Sequence, residues 1–194
     1  MSPAFSEKRR LRNESLSRRD ALTIEARGKK DESIRKRLSA LSEYAEAGTI
    51  LFYASFKSEV DTFELIRENI LKNKTVVLPR VDMRNFSLTL YEICALDDLA
   101  PGCFGIPEPR AAEDRIINPS DIDIMIIPGV AFDEHCNRLG YGKGFYDRLL
   151  SLKEAPALAL AYDEQIMGRI PAELHDIRMD KIITDKRIIR CHEQ

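Results

Sequence analysis

The run Ile50-Leu51-Phe52-Tyr53 is apolar without interruption, the pattern of a strand covered on both faces and therefore of a sheet held between layers of helix. Further strands are expected at 75–78, 88–93, 122–127, 157–161 and 181–184, with helical segments between several of them. Apolar strands that alternate with helices give right-handed crossovers and a mainly parallel sheet. The chain has 194 residues and is 44% hydrophobic, enough for one sizeable core and below the length at which cores usually split. The predicted class is a single α/β domain over residues 1–194, a mainly parallel sheet flanked by helices in a Rossmann-like three-layer arrangement.

Residues 5–19 read as a first helix. Thr23 is a candidate N-cap for a second, in which Ile34, Leu38, Leu41 and Ala45 recur at helical spacing until Gly48 ends it. Asp61 is expected to open a third helix, running to about Lys72. Glu64 would complete its capping box, and Val60 and Leu65 would form its hydrophobic staple. Residues 100–119, rich in Pro, Gly and charge, read as an ordered surface connection, and no internal repeat is visible. In parallel sheets ligands gather beyond the carboxyl ends of the strands. The stretches 55–61, 128–144 and 162–163 leave strands in that direction and are expected to share one cleft.

The net charge of −2 hides an uneven distribution. Residues 1–37 hold twelve Lys and Arg against six Asp and Glu, which leaves eighteen against twenty-six for the rest. A basic start invites an anion. Nucleic acid is one candidate, but the segment has one aromatic residue, Phe5, and no recognisable reader module. A solvated helix face is the plainer reading. No run approaches the roughly 18 apolar residues that cross a bilayer, and the first residues lack the apolar stretch of a secretory signal. Glu7, Glu14, Asp20 and Glu25 interrupt the basic residues, unlike a transit peptide. A cytoplasmic monomer without a membrane partner is expected. Cys94, Cys103, Cys136 and Cys191 are widely separated with no C-x-x-C pair, which argues against structural zinc and for reduced thiols buried as small hydrophobes.

The strongest local signal is Arg138-Leu139-Gly140-Tyr141-Gly142-Lys143-Gly144-Phe145-Tyr146-Asp147. Each glycine inside regular structure costs roughly 0.5–1 kcal/mol relative to alanine, so three at alternate positions imply unusual backbone angles or close approach. Exposed amides, the positive end of a following helix, and the charges of Arg138 and Lys143 would make a phosphate cradle. The spacing is neither that of a P-loop nor that of the dinucleotide fingerprint, and a tight turn packing a helix on the sheet is the alternative. Asp147, in the first helical turn, either stabilises the dipole or holds Mg²⁺ against phosphate.

Together with Pro128-Gly129-Val130-Ala131-Phe132-Asp133, that loop resembles the signature of the 5-formyltetrahydrofolate cyclo-ligase (methenyltetrahydrofolate synthetase) family. Lys8-Arg9-Arg10-Leu11-Arg12, the stretch Ser55 to Thr62, Gly105-Ile106-Pro107-Glu108-Pro109 and Pro171 to Asp180 are similar to further motifs of that family, in the same order along the chain. The resemblance implies that Lys8, Arg9, Arg10, Leu11 and Arg12 contact ATP, as do Arg138, Leu139, Gly140, Tyr141, Gly142, Lys143, Gly144, Phe145 and Tyr146. It implies folate contacts from Phe56, Asp61 and Tyr141 to Phe145, and Mg²⁺ on Asp147 and Asp176. Lys143 and Arg138 would serve the transferring phosphoryl group. Asp61 is equally accounted for as a helix cap, Phe56 as core and Asp176 as a turn residue, whereas Glu59 has no such local explanation and is a candidate to orient the pterin or a basic neighbour. His135, His175 and His192 are expected on the surface or in turns. Two departures stand out: Cys136 occupies a position where the family usually has glycine, and Phe145 one where tyrosine is common. The implied reaction is ATP- and Mg²⁺-dependent closure of 5-formyltetrahydrofolate to 5,10-methenyltetrahydrofolate. The rival readings are a related enzyme with another small carboxylate or amide substrate, and a nucleotide- or nucleic-acid-binding module without turnover.

Overall fold

Side chains along a strand point alternately to its two faces, and the buried residues of this chain sort into two clusters on that period. In the computed structural model, which describes residues 3–173 and 176–191, the first elements are α1 (Pro3–Asp20), α2 (Ile24–Ser39), α3 (Ser42–Glu46), β1 (Thr49–Leu51), α4 (Phe63–Leu71), β2 (Thr75–Asp82) and β3 (Ser87–Ile93). There follow β4 (Leu99–Pro101), β5 (Pro107–Pro109), β6 (Ile124–Ile127), β7 (Ala131–Asp133), β8 (Arg138–Leu139) and α5 (Phe145–Leu150). The chain continues through β9 (Ala157–Ala161), β10 (Ile166–Met167), β11 (Lys181–Thr184) and β12 (Ile188–Arg190).

The main sheet has seven strands in the order β12-β11-β9-β6-β1-β2-β3. Its five inner strands are parallel and each edge strand is antiparallel to its neighbour, so the expected mainly parallel three-layer class is what the chain adopts. Ile50, Phe52, Val76, Leu78, Ile124, Ile126, Leu158 and Leu160 meet Ile34 and Leu38 of α2, Tyr44 of α3 and Leu65 and Ile66 of α4 on one face. Leu51, Val77, Met125 and Ile127, with Ala157, Ala159 and Ala161, meet Leu149 and Leu150 of α5, Phe132 and Met179 on the other. The three small side chains of β9 all point to this second face, where the β7 segment approaches. From β1 the order runs outward to β2 on one side and to β6 on the other. The carboxyl ends of β1 and β6 therefore flank the point where strand order reverses, the place where such sheets form a crevice.

Three local expectations need correction. The second helix does not run to Gly48: it stops at Ser39 and resumes as α3, with Leu41 extended between them. That break lets Leu41 stay buried while the Tyr44 hydroxyl accepts from Asn69 Nδ2 at 2.7 Å. Thr23 does cap α2, accepting from Ala26 N at 3.1 Å. The third helix starts at Phe63 rather than Asp61 and has no capping box. Thr62 Oγ1 donates to Tyr53 O (2.6 Å), Asp61 accepts from Phe63 N (3.0 Å) and Ser55 Oγ (3.2 Å), and Glu64 turns to Arg67. The cap residues are stitched to the loop after β1 instead. Of the cysteines only Cys136 is buried; Cys94 is exposed and the other two are half-buried. His135 is exposed on a turn, and His175 and His192 lie outside the described residues.

The turn leading into β8 rests on Asp133, fully buried, whose carboxylate accepts from His135 N, Asn137 N, Asn137 Nδ2 and Ile170 N at 2.9–3.0 Å. Cys136 sits in this turn at φ 59°, the left-handed region that costs a non-glycine residue about 1–2 kcal/mol, and its side chain belongs to the second core cluster. The sequence departure at this position thus carries a backbone cost that the buried thiol offsets. Cys136→Gly is expected to leave stability within about 1 kcal/mol of the parent, whereas the β-branched, larger valine should cost at least about 2 kcal/mol. Urea unfolding measures both, and equal losses in the two variants would refute the strained-turn account.

Candidate active site

The stretches expected to share a cleft do converge, the Tyr141 hydroxyl donating to Glu59 Oε1 and the Tyr162 hydroxyl to Glu59 O. The crevice beyond β1, β6 and β9, lined by Tyr53, Glu59, Pro128, Gly129 and Leu160 with Arg19 reaching in from α1, is closed and leaves no room for a ligand as it stands. Helix α1 does not pack as an ordinary amphipathic helix. Its buried positions are Lys8, Leu11, Ser15 and Arg19, a helical stripe that is mostly polar. It crosses the strand ends against the turn at Asp163–Gln165, β7 and β10, and Ser15 Oγ donates to Val130 O at 2.6 Å.

This face divides the expected nucleotide-contacting segment. Lys8 is 8% exposed and donates to Glu173 and Asp176, both at 2.7 Å. Burial alone would lower its pKa, but the hydrogen bonds to Asp176 and Glu173 raise it above the usual lysine value. Leu11 packs with Ala131, Leu139, Met167 and Ile170. Arg12 Nε donates to Gly140 O at 2.8 Å. Arg9 and Arg10 lie on the opposite, exposed side, where Arg10 pairs with Glu7 and Glu14. Much of the remaining basic surplus is spent within the chain: Arg18 on Glu14, Lys29 on Glu25, Lys36 on Glu32, and Lys30 on Glu164 and Asp185. The basic start is therefore a brace against the strand-end loops more than an open cationic face.

In the glycine loop, Gly142 (φ 90°) and Gly144 (φ 74°) adopt angles that disfavour any side chain. At Gly140 the requirement is space: a Cβ there would stand 3.0 Å from Arg138 Nη1. Tyr141, Gly142 and Lys143 are exposed, and Lys143 Nζ lies 5.8 Å from the centre of the Phe104 ring. Helix α5 has only six residues, so its dipole contributes less than the sequence suggests, and the positive charge comes from side chains. Arg138 turns inward. Its side chain is 3% exposed, with Nη2 donating to Asp147 Oδ1 at 2.5 Å and Nη1 to Pro128 O at 3.3 Å. Phe145 is buried at the start of α5 and Tyr146 half-buried behind Arg138.

The second wall is the stretch after β1. Lys57 takes a left-handed φ of 57°, which folds Phe56 to Glu59 into a turn closed by Glu59 N donating to Phe56 O. Phe56 is half-buried beside Gly105. Glu59 Oε2 accepts from Phe56 N (2.9 Å) and Oε1 from the Tyr141 hydroxyl (2.7 Å). That hydroxyl also accepts from Arg19 Nη2 at 3.2 Å, so one phenol ties the glycine loop to both other walls. Burial raises the Glu59 carboxyl above the ordinary glutamate value, against the hydrogen bonds from Tyr141 and Phe56 N. Burial, then the Glu59 charge, pushes Tyr141 up to about 12. Asp61, by contrast, is engaged by Ser55 and Phe63 N. Arg19, buried where these walls meet, drew no expectation from the sequence; the available signal was the absence of an apolar stripe in residues 5–19.

Among the described residues no three His, Cys, Asp or Glu side chains cluster as a metal site. Asp147, held by Arg138, and Asp176, held by Lys8, are each next to a cation. Two carboxylates that are each already paired with a cation do not make an all-protein metal cage, and an ion held there would have to take most of its ligands from elsewhere. No helix of the described residues is long and apolar enough to cross a membrane.

A model of the 5-formyltetrahydrofolate cyclo-ligase family matches residues 4–185. The mouse 5-formyltetrahydrofolate cyclo-ligase is 28% identical over 189 residues, covering 92% of this chain and 93% of its own. The Haemophilus influenzae enzyme of the same name is 31% identical over 180 residues, 91% of this chain and 96% of its own. The NMR structure of Aquifex aeolicus 5,10-methenyltetrahydrofolate synthetase is similar with a TM-score of 0.84 at 35% identity, covering 96% of this chain and 94% of that one.

Glu59 gives this geometry a titratable signature. Between the ordinary value of 4.5 and the raised one, the native state holds more protons than the unfolded chain. The contribution of Glu59 to stability therefore falls as pH rises through that interval. The unfolding free energy of the parent relative to Glu59→Gln is expected to decline with pH across it, as urea titrations at successive pH values would measure; parallel profiles would mean that Glu59 is not desolvated.

Proposed function

The chain belongs to the 5-formyltetrahydrofolate cyclo-ligase family and is an enzyme of that activity, and from that premise we propose how its crevice drives the ring closure to 5,10-methenyltetrahydrofolate at the expense of ATP. An N-formyl oxygen leaves poorly. Transfer of the γ-phosphoryl group to it gives an imidate-like phosphate, which folate N10 attacks with loss of phosphate. Such a transfer asks the protein mainly for positioning and for charge at the moving group.

The observation that carries this reading is the Tyr141 hydroxyl. It joins the glycine loop, where phosphate would lie, to Glu59 on the stretch that would face the folate, so both reactants belong to one crevice. Lys143, exposed at the loop tip, is the cation free to follow the transferring group. Arg138 fixes Asp147 and the Pro128 end of the loop. Lys8, Leu11 and Arg12 support the nucleotide side from α1, while Arg9 and Arg10 stand outside on its far face. Phe56 offers a face for the pterin ring, and the Glu59 carboxylate suits the donors of its 2-amino group and N3. Asp61 serves by holding that stretch in place. Asp147 and Asp176 would be the carboxylates to hold Mg²⁺, which when bound supplies neutralisation of phosphate charge.

Lys143→Ala should lower kcat roughly 10²- to 10³-fold, the scale of losing one charge-stabilising donor, and leave the unfolding midpoint unchanged because the side chain is exposed. Near-parental turnover would remove Lys143 from the reaction. For the activity itself, purified protein with ATP and Mg²⁺ should hydrolyse ATP only when 5-formyltetrahydrofolate is added, with methenyl absorbance rising in step. ATP binding without folate-dependent turnover would favour a binding module, and turnover with a different small carboxylate or amide a divergent enzyme.

A further inference from the structure

Arg19 is 3% exposed and carries a full charge, yet both of its side-chain hydrogen bonds go to hydroxyls. Nε donates to Ser58 Oγ at 3.0 Å and Nη2 to the Tyr141 hydroxyl at 3.2 Å. Nη1 has no partner among the described residues, and the side chain lines the crevice beside Glu59, Gly129 and Leu160. Buried charges are usually paired, and buried donors are usually satisfied. A buried guanidinium with an unsatisfied nitrogen, set against a closed crevice, has donor capacity that the chain itself does not use.

The kind of acceptor that suits the neighbouring Nη2 is indicated by the hydroxyl it holds now. The Tyr141 hydroxyl accepts from Arg19 and donates to Glu59 Oε1. An atom group that replaced it would need an acceptor toward Arg19 immediately beside a donor toward Glu59. A pteridine lactam has that arrangement: a carbonyl oxygen at C4 next to N3–H. Tyr141 stands on a loop with positive φ at Gly142 and Gly144 and is itself 53% exposed, so its phenol is placed to give way to such a ring.

We propose that Arg19 is a specificity-determining residue that donates to the C4 carbonyl oxygen of the pteridine while Glu59 accepts from the adjacent N3–H, the Tyr141 hydroxyl standing in for this edge until the ring displaces it. The inference rests on the folate reading of the crevice given above and adds the atom by which that ring is told from its close analogues. A 4-amino pteridine presents a donor where the lactam has its carbonyl and therefore meets Arg19 donor to donor.

The test is the ratio of affinities for 5-formyltetrahydrofolate and its 4-amino analogue, measured by calorimetry. The parent protein is expected to prefer the 4-oxo ligand by at least roughly 10- to 100-fold, the range for a hydrogen bond to a charged group, and Arg19→Met to reduce the ratio by about that factor, leaving the part that Glu59 supplies against the hydrogen-free N3 of the 4-amino ring. Arg19→Lys keeps the charge but loses the fork and should reduce the ratio several-fold, which secures the result if the methionine variant does not fold. In Tyr141→Phe, which lacks the hydroxyl that Arg19 holds, the ratio should stay at the parental value or above. An undiminished ratio in Arg19→Met and Arg19→Lys overturns the inference alone. A collapse in Tyr141→Phe equal to that in Arg19→Met overturns it too, because Arg19 would then act only through the loop. A parent protein that binds neither ligand overturns the folate reading and the inference with it.

Discussion

Covering both faces of the sheet decides where the polar chemistry of this chain can reside. Ile50, Leu51, Ile124, Met125, Ile126 and Ile127 have no exposed surface, and helices or the β7 segment close over both sides. Polar groups that are to meet a ligand are left the strand ends. Because strand order reverses between β1 and β6, the loops after those strands diverge and leave a crevice at their carboxyl ends. Three separate segments fill its walls: the stretch after β1, the glycine loop after β8, and a helix that belongs to neither.

That helix explains the charge distribution of the sequence. Burying Lys8 and Arg19 in α1 is unfavourable by itself, since desolvated charges cost several kcal/mol each unless compensated. Lys8 is compensated by Glu173 and Asp176, and Arg12 by the Gly140 carbonyl. These contacts span more than a hundred residues of sequence and clamp the loops that a nucleotide would touch. The outer face of the same helix uses i,i+3 and i,i+4 pairs such as Arg10 with Glu7 and Glu14, exposed and each worth little. Two rows of basic residues on one helix thus do different work, and only the helical period separates them.

The period also sets what could be read from the sequence. The apolar runs gave the strands closely, because residues buried on both faces leave a composition signal that needs no partner to interpret. The family motifs located the glycine loop, and the structure shows why glycine is needed there: positive φ at two positions and the Arg138 guanidinium against the third. Failures came where tertiary contacts overrule local logic. Asp61, Thr62 and Glu64 have the makings of a capping box, but the loop after β1 claims Thr62 and Asp61. Ala45 continues the helical spacing of Ile34 and Leu38, yet the chain breaks at Ala40 so that Tyr44 can meet Asn69. Arg19 left no motif at all, because its importance lies in contacts to Ser58 and Tyr141 that only folding creates.

The two cations first paired as catalytic partners are placed in opposite environments, and their chemistry fits that placement. Arg138 is enclosed, its planar fork holding a carboxylate and a carbonyl at once, which suits a guanidinium whose donors are fixed relative to one another. Lys143 sits on an exposed, glycine-flanked tip, a compact charge on a flexible stem. A group that moves during phosphoryl transfer is better followed by the second than by the first. The rigid residue instead sets the position of Asp147 and of the loop's base, so that the mobile charge starts from a defined place. Tyr141, two residues before Lys143, is bonded to Glu59 and Arg19 and so ties the position of that tip to the stretch after β1 and to α1.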